Sequence, residues 1–200
     1  MRILLFGKNG QVGWELQRSL APLGELVAIG RDGPAPPAAD FRRPDDLSRI
    51  VRTVAPLVIV NAAAYTSVDE AEFCPELART INSTAPAQLA RLAAETNAWL
   101  VHYSTDQVFD GSGERAWNES STTSPLNVYG QSKLEGEEAI RRSGCKHLIF
   151  RTSWVHSARG DNFVRKILRL AVTHDRLKVV ADQHGAPTGA ELLADVTAHA

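Results

Sequence analysis

The chain has 200 residues, 44% hydrophobic and 22% charged, which suffices for one packed domain and excludes a disordered chain. A formal net charge of −1 gives no bulk attraction to nucleic acid or to a membrane surface. No apolar run reaches the length of a membrane span, and the first ten residues, MRILLFGKNG, are too short for a secretory signal.

In chain order, residues 2–6 are a short apolar run with the character of a buried strand. Residues 7–13 are punctuated by glycine, and 12–23 carry apolar side chains at helical spacing (Val12, Leu16, Leu20, Leu23). A second strand is predicted over 26–29. The prolines of 33–39, GPAPPAA, bar both helix and inner strand. A helix follows over 44–54, with Leu47, Ile50, Val51 and Val54 on one face, and a buried strand over 57–60. Residues 75–98 read as a long helical pattern that Pro86 should kink or divide. Strands are predicted over 99–103, 147–151 and 177–181, and a helix over 128–142 that stops at Gly144. Residues 190–200 read as a helix still running at the last residue, as in a fragment of a longer chain. Strands alternating with helices predict an α/β fold, a Rossmann-like doubly wound parallel sheet with helices on both faces. Ligands bind such a sheet beyond the carboxyl ends of its strands.

Several motifs fall at those ends. Gly7, Gly10 and Gly13, in GKNGQVG, join the first strand to the first helix. There glycine permits a tight turn and close approach of a pyrophosphate to the unpaired N–H groups of the helix. The spacing is GxxGxxG rather than GxGxxG, and no GxxxxGK[ST] run marks a phosphate-binding loop. The second strand ends at Gly30-Arg31-Asp32; an arginine there suits the 2′-phosphate of NADPH, whereas Asp32 keeps NADH open. Small residues, Asn61 to Ala64, follow the third strand, and Ser104-Thr105-Asp106 follow the fourth, where Thr105 or Asp106 is placed to cap a turn. Tyr129 and Lys133 stand four apart on one helical face. An ammonium beside a phenol favours the phenolate and lowers its pKa, which makes an acid for a carbonyl receiving a hydride. Cys74 and Cys145 lack CxxC spacing and fit a reduced, cytoplasmic chain, and the six histidines show no HxxxH or HExxH pair for zinc.

Taken together, GKNGQVG, VNAAAYTSVDEAE, YSTDQVFDG, SPLNVYGQSKLEGE and RTSWV resemble the short-chain dehydrogenase/reductase superfamily of extended type, in the branch acting on dTDP-linked sugars. The resemblance implies NADPH-dependent reduction of the C4 keto group of dTDP-6-deoxy-L-lyxo-4-hexulose, giving dTDP-L-rhamnose. It implies that Gly7, Asn9, Gly10, Gln11 and Val12 hold the pyrophosphate, that Arg31, Asp40 and Phe41 surround the adenosine, and that Ala62, Ala63, Ala64 and Tyr65 flank the middle of the cofactor. Thr105, Tyr129 and Lys133 become the catalytic set, with Val68, Asp69, Asp106 and Trp154 bordering the sugar nucleotide. A homodimer is implied, with Mg²⁺ held by Glu15 and Glu191. So are a dinucleotide-binding domain over 1–155 and a partial substrate lobe over 156–200 with an interleaved last strand. Gln107 departs from the branch, which carries an aromatic residue there. The alternatives are a sugar-nucleotide epimerase or dehydratase of the same superfamily, or a non-catalytic NADP-binding regulatory subunit.

Overall fold

The computed structural model describes residues 1–31 and 38–200, so Asp32 and residues 33–37 of the proline loop lie outside the described residues. Among the described residues six strands form one parallel sheet: β1 (Arg2–Phe6), β2 (Glu25–Ile29), β3 (Val58–Asn61), β4 (Trp99–Thr105), β5 (Lys146–His156) and β6 (Pro187–Gly189), in the order β2-β1-β3-β4-β5-β6. The helices between them are α1 (Gln11–Leu20), α2 (Pro44–Val54), α3 (Val68–Phe73), α4 (Pro75–Arg79), α5 (Ala85–Thr96), α6 (Val128–Arg142), α7 (Phe163–Ala171) and α8 (Ala190–His199).

Side chains alternate across a strand, so β1 serves two cores at once. Leu4 and Phe6 pack with Ile29, Leu47, Ile50, Leu89 and Leu92, the layer of α2 and α5. Ile3 and Leu5 pack with Leu16, Leu20, Val101, Leu193 and Ala194, the layer of α1 and α8. The chain runs from β1 outward to β2, then returns across β1 to β3. That reversal opens a crevice at the carboxyl ends of β1 and β3, the topological switch point of a doubly wound sheet.

Two expectations need correction. Residues 177–181 form no strand; Val179 and Val180 are exposed, and apolar strand residues without a neighbouring strand have no ladder to join. The last strand is instead 187–189, beside β5. The helical pattern over 75–98 is divided ahead of Pro86, as expected. A π turn over Thr80–Thr84 precedes α5, which places Pro86 in the first turn of that helix, where its missing N–H costs nothing. Finally, β5 continues to His156 rather than ending at 151, because its last residues pair with β6. Helices α3 and α7, absent from the sequence expectations, complete the set. Among the described residues no helix is long and apolar enough to cross a membrane.

Candidate active site

Gly7 follows β1 directly, with φ +84°, a conformation that side chains resist, and a Cβ there would lie 2.6 Å from the backbone of Ala62 and Ala63. A Cβ on Gly13 would meet the Gly7 carbonyl oxygen at 2.0 Å. These two glycines let the turn fold tightly between α1 and the end of β3. No side chain caps α1 at Gly10, so its first N–H groups face outward as an anion cradle. Beyond the turn lies a cleft of about 380 Å³. Gly7, Asn9, Gly10, Arg31, Asp40, Phe41, Ala62, Ala63, Ala64 and Tyr65 all line it. Asp40 there accepts hydrogen bonds from Arg42, which hold its carboxyl below the usual range. The Phe41 ring is buried edge-on against Phe6.

The side chains of two residues expected at the pyrophosphate lie outside the cleft lining, while their backbone N–H groups open α1. Val12 packs into the core layer of α1. The Gln11 carboxamide turns away from the cleft, donating to the Val155 carbonyl at 3.4 Å and accepting from Ser157 Oγ at 3.0 Å and Asn162 Nδ2 at 2.8 Å.

The second cluster forms where β4 ends. Thr105 is its last residue and caps the turn that follows, accepting from the Gln107 N–H at 3.2 Å. Its hydroxyl donates to Asp106 Oδ1 at 3.2 Å, and Ser153 Oγ donates to the other Asp106 oxygen at 2.5 Å. Tyr129 stands in the first turn of α6 against this edge. Burial raises its phenol pKa; interaction with the Thr105 hydroxyl pulls it down, and the Asp106 carboxylate pushes it up, for a net rise. Burial, Thr105 and Asp106 set this balance in the protein without its cofactor. Lys133 is buried, and its Nζ donates to the Tyr103 carbonyl at 2.6 Å and lies 3.4 Å from His102 Nε2. Desolvation brings the Lys133 ammonium down to about 8, against the opposing pull of the Glu137 carboxylate.

Residues far apart in sequence hold these groups in register. Asn127 caps α6, accepting from the Gly130 N–H at 2.7 Å, while its amide donates to Gln107 Oε1 at 2.8 Å. A Cβ on Gly130 would strike the Gln107 carbonyl at 2.2 Å, so the helix start presses on the end of β4. Asn82, buried in the π turn, accepts from the Tyr65 N–H and donates to the Tyr65 carbonyl and to Ser132 Oγ, which donates in turn to the Tyr129 carbonyl at 2.7 Å. One side chain therefore joins the cleft wall to the turn carrying Tyr129. Glu137, fully buried, accepts from Arg151 at 2.7 and 2.9 Å. Burial pushes its carboxyl up, but the Arg151 hydrogen bonds and charge outweigh it, and the net pKa is lowered. Sequence spacing signals none of Asn82, His102, Asn127 or Glu137, because each acts through a partner on another element.

Val68 is half-buried and Asp69 exposed at the start of α3. Trp154 is half-exposed in β5 with φ +44°, at an irregularity in the pairing with β6, and Gly185 lies flush against its indole. Glu15 pairs with Arg18, and Glu191 is exposed. Among the described residues no group of three or more His, Cys, Asp or Glu side chains is placed to hold a metal, so the magnesium expectation finds no support.

A parallel sheet opened at its switch point, a glycine cradle there, and a Thr-Tyr-Lys set one strand away define a Rossmann-fold oxidoreductase of the extended short-chain type. The family described as RmlD substrate binding domain matches residues 1–200, and the chain belongs to it. It is 57% identical over 200 residues to the dTDP-4-dehydrorhamnose reductase of Salmonella typhimurium and 55% identical to that of Escherichia coli, in each case over 100% of this chain and 67% of the relative. Among solved structures, a dTDP-4-dehydrorhamnose reductase from Clostridium acetobutylicum superposes with a TM-score of 0.91 at 37% identity, covering 98% of this chain and 69% of that one. The enzyme of the same name from Bacillus anthracis, solved in complex with NADP, gives 0.91 at 33%, covering 99% and 70%.

Proposed function

We propose that the chain carries the active site of a dTDP-4-dehydrorhamnose reductase, reducing the C4 keto group of dTDP-6-deoxy-L-lyxo-4-hexulose with NADPH. The observation that supports this reading is the Tyr129 phenol meeting the Thr105 hydroxyl at the end of β4, with Lys133 bonded to the Tyr103 carbonyl of the same strand. The names of its relatives support it. The residues fit the cofactor: the uncapped start of α1 receives the pyrophosphate, and the Gly7 turn has no room for any side chain. Arg31, at the end of β2 and on the cleft, favours NADPH over NADH.

In this mechanism the bound reduced nicotinamide supplies the hydride. Thr105 and Tyr129 hold the keto oxygen, and Tyr129 delivers the proton as the oxygen gains charge. Thr105 gives up its bond to Asp106 to meet the substrate, and Asp106 keeps its bond from Ser153. Lys133 holds the nicotinamide ribose. Val68, Asp69 and Trp154 border the sugar nucleotide, residues 1–155 hold the cofactor, and 156–200 begin the substrate lobe, except that 187–199 return to the sheet and its cover.

Purified protein incubated with the 4-keto sugar nucleotide should consume NADPH stoichiometrically, followed at the nicotinamide absorbance, and consume NADH less efficiently. A bound cofactor that is recycled with no net consumption would indicate an epimerase instead. Tyr129→Phe should lower turnover by roughly 10²–10⁴-fold while leaving cofactor binding intact.

A further inference from the structure

His102 is fully buried in β4 and touches two polar partners, one on each ring nitrogen. Asn61 Nδ2 lies 3.1 Å from Nδ1, and Lys133 Nζ lies 3.4 Å from Nε2. The orientation of the Asn61 amide is not free, because its oxygen accepts from the Ala63 N–H at 3.1 Å, on the wall of the cleft. The Asn61 NH₂ group therefore faces the ring, and Nδ1 must accept. In a neutral imidazole whose Nδ1 accepts, the proton sits on Nε2. Burial and the nearby Lys133 charge both drive the His102 pKa well down, so the ring is neutral.

We propose that His102 is a positioning residue for Lys133: Asn61 locks it as the Nε2–H tautomer, so that it turns a donor toward the amine and biases that amine toward its neutral form. The proposal rests on the reading of Lys133 as the partner of Tyr129. The remaining neighbours leave this role to His102. From β4 the Tyr103 carbonyl accepts a proton of the ammonium. From α6, Glu137 favours the charged form but is itself tied to Arg151 of β5 and to Arg141. Asp106, beyond β4, acts on Tyr129. An N–H aimed at Nζ is satisfied only by the lone pair of the neutral amine. Desolvation already brings the Lys133 ammonium down to about 8, and an opposing N–H acts in the same direction.

The test begins without substrate. Long-range proton–nitrogen spectra of protein labelled with ¹⁵N-histidine, with His102 assigned by its loss in His102→Phe, should show an Nε2–H tautomer. Labelled lysine followed against pH should show Lys133 titrating near 8 and moving up by about one unit in His102→Phe, which removes the opposing donor. Asn61→Asp should invert the tautomer, since a carboxylate accepts from Nδ1–H, and should move the titration up further. The basic limb of kcat/KM should follow the same order, whereas a merely structural role would leave its midpoint unmoved. An Nδ1–H tautomer in the unaltered protein, or a Lys133 titration unchanged in both variants, overturns the proposal. The tautomer measurement stands even where Asn61→Asp fails to fold. Absence of turnover in a protein with the Nε2–H tautomer would overturn the reductase reading and leave this one standing.

Discussion

Gly10 and Gly13 stand three residues apart and answer to different constraints. A Cβ on Gly13 would drive into the Gly7 carbonyl at 2.0 Å, a backbone atom that cannot move without opening the turn. A Cβ on Gly10 would meet that oxygen only at 3.4 Å, an ordinary contact. Gly13→Ala should therefore cost about 1–3 kcal/mol in urea unfolding. Gly10→Ala should leave stability within about 0.5 kcal/mol yet weaken cofactor binding in a fluorescence titration, because the methyl group obstructs the pyrophosphate rather than the fold. Lys133 supplies a second prediction at this scale. The unfolded chain keeps this proton up to 10.5, whereas the folded chain releases it near 8. Between those values the unfolded state holds more protons, so stability rises with pH across that window. Lys133→Met removes the group. Its advantage in unfolding free energy over the unaltered protein, largest below pH 8, should shrink steadily as pH rises from 8 to 10.5.

Among the elements, the π turn over Thr80–Thr84 does most to connect the two halves of the site. It turns Asn82 inward, where the side chain replaces a missing strand partner for the Tyr65 backbone and reaches α6 through Ser132. Asn82→Ala leaves buried donors and acceptors unpaired on both sides. It should cost about 1–3 kcal/mol in denaturation and weaken cofactor binding through the Tyr65 wall. Much of this level was legible in the sequence. Helices α2 and α6 have the expected bounds because their apolar spacing, and the glycine stop after α6, are local signals. Helix α3 is too short for a sustained period, whereas α7 does carry apolar residues at helical spacing, Phe163, Val164, Ile167, Leu168 and Ala171, although it buries none of them. The Tyr129–Lys133 pair was legible as an i, i+4 spacing. What Lys133 touches was not, since Tyr103 and His102 reach it from β4, and Asn61 fixes His102 from β3, strands brought together only by the sheet.

At the level of the whole molecule, the chain returns to its beginning. After the excursion through α7, β6 joins β5, and α8 lies against α1. Asp195 accepts from Ser19 at 2.6 Å and from Arg18 at 2.9 Å, while Thr197 meets the buried Tyr103 hydroxyl at 2.6 Å. Leu193 and Ala194 complete the core that covers Ile3, Leu5 and Leu16. Residues 187–199 are thus part of the dinucleotide-binding sheet and its cover, despite being last in the chain. Deleting 187–200 should expose that apolar face, broaden the thermal transition and bring strong binding of an apolar dye. A melting curve as sharp and as high as that of the intact chain would contradict this placement.

The Gln11 carboxamide is shared between two parts of the protein with different duties. It belongs to the first turn of α1, whose N–H groups form the anion cradle, and it also grips the strand end and the segment 157–162 that leads into α7. Pulling that segment outward strains the same amide that steadies the cradle, and a cradle stiffened by its occupant resists the pull. The two regions are mechanically geared through a single side chain, and a force applied at either end is felt at the other.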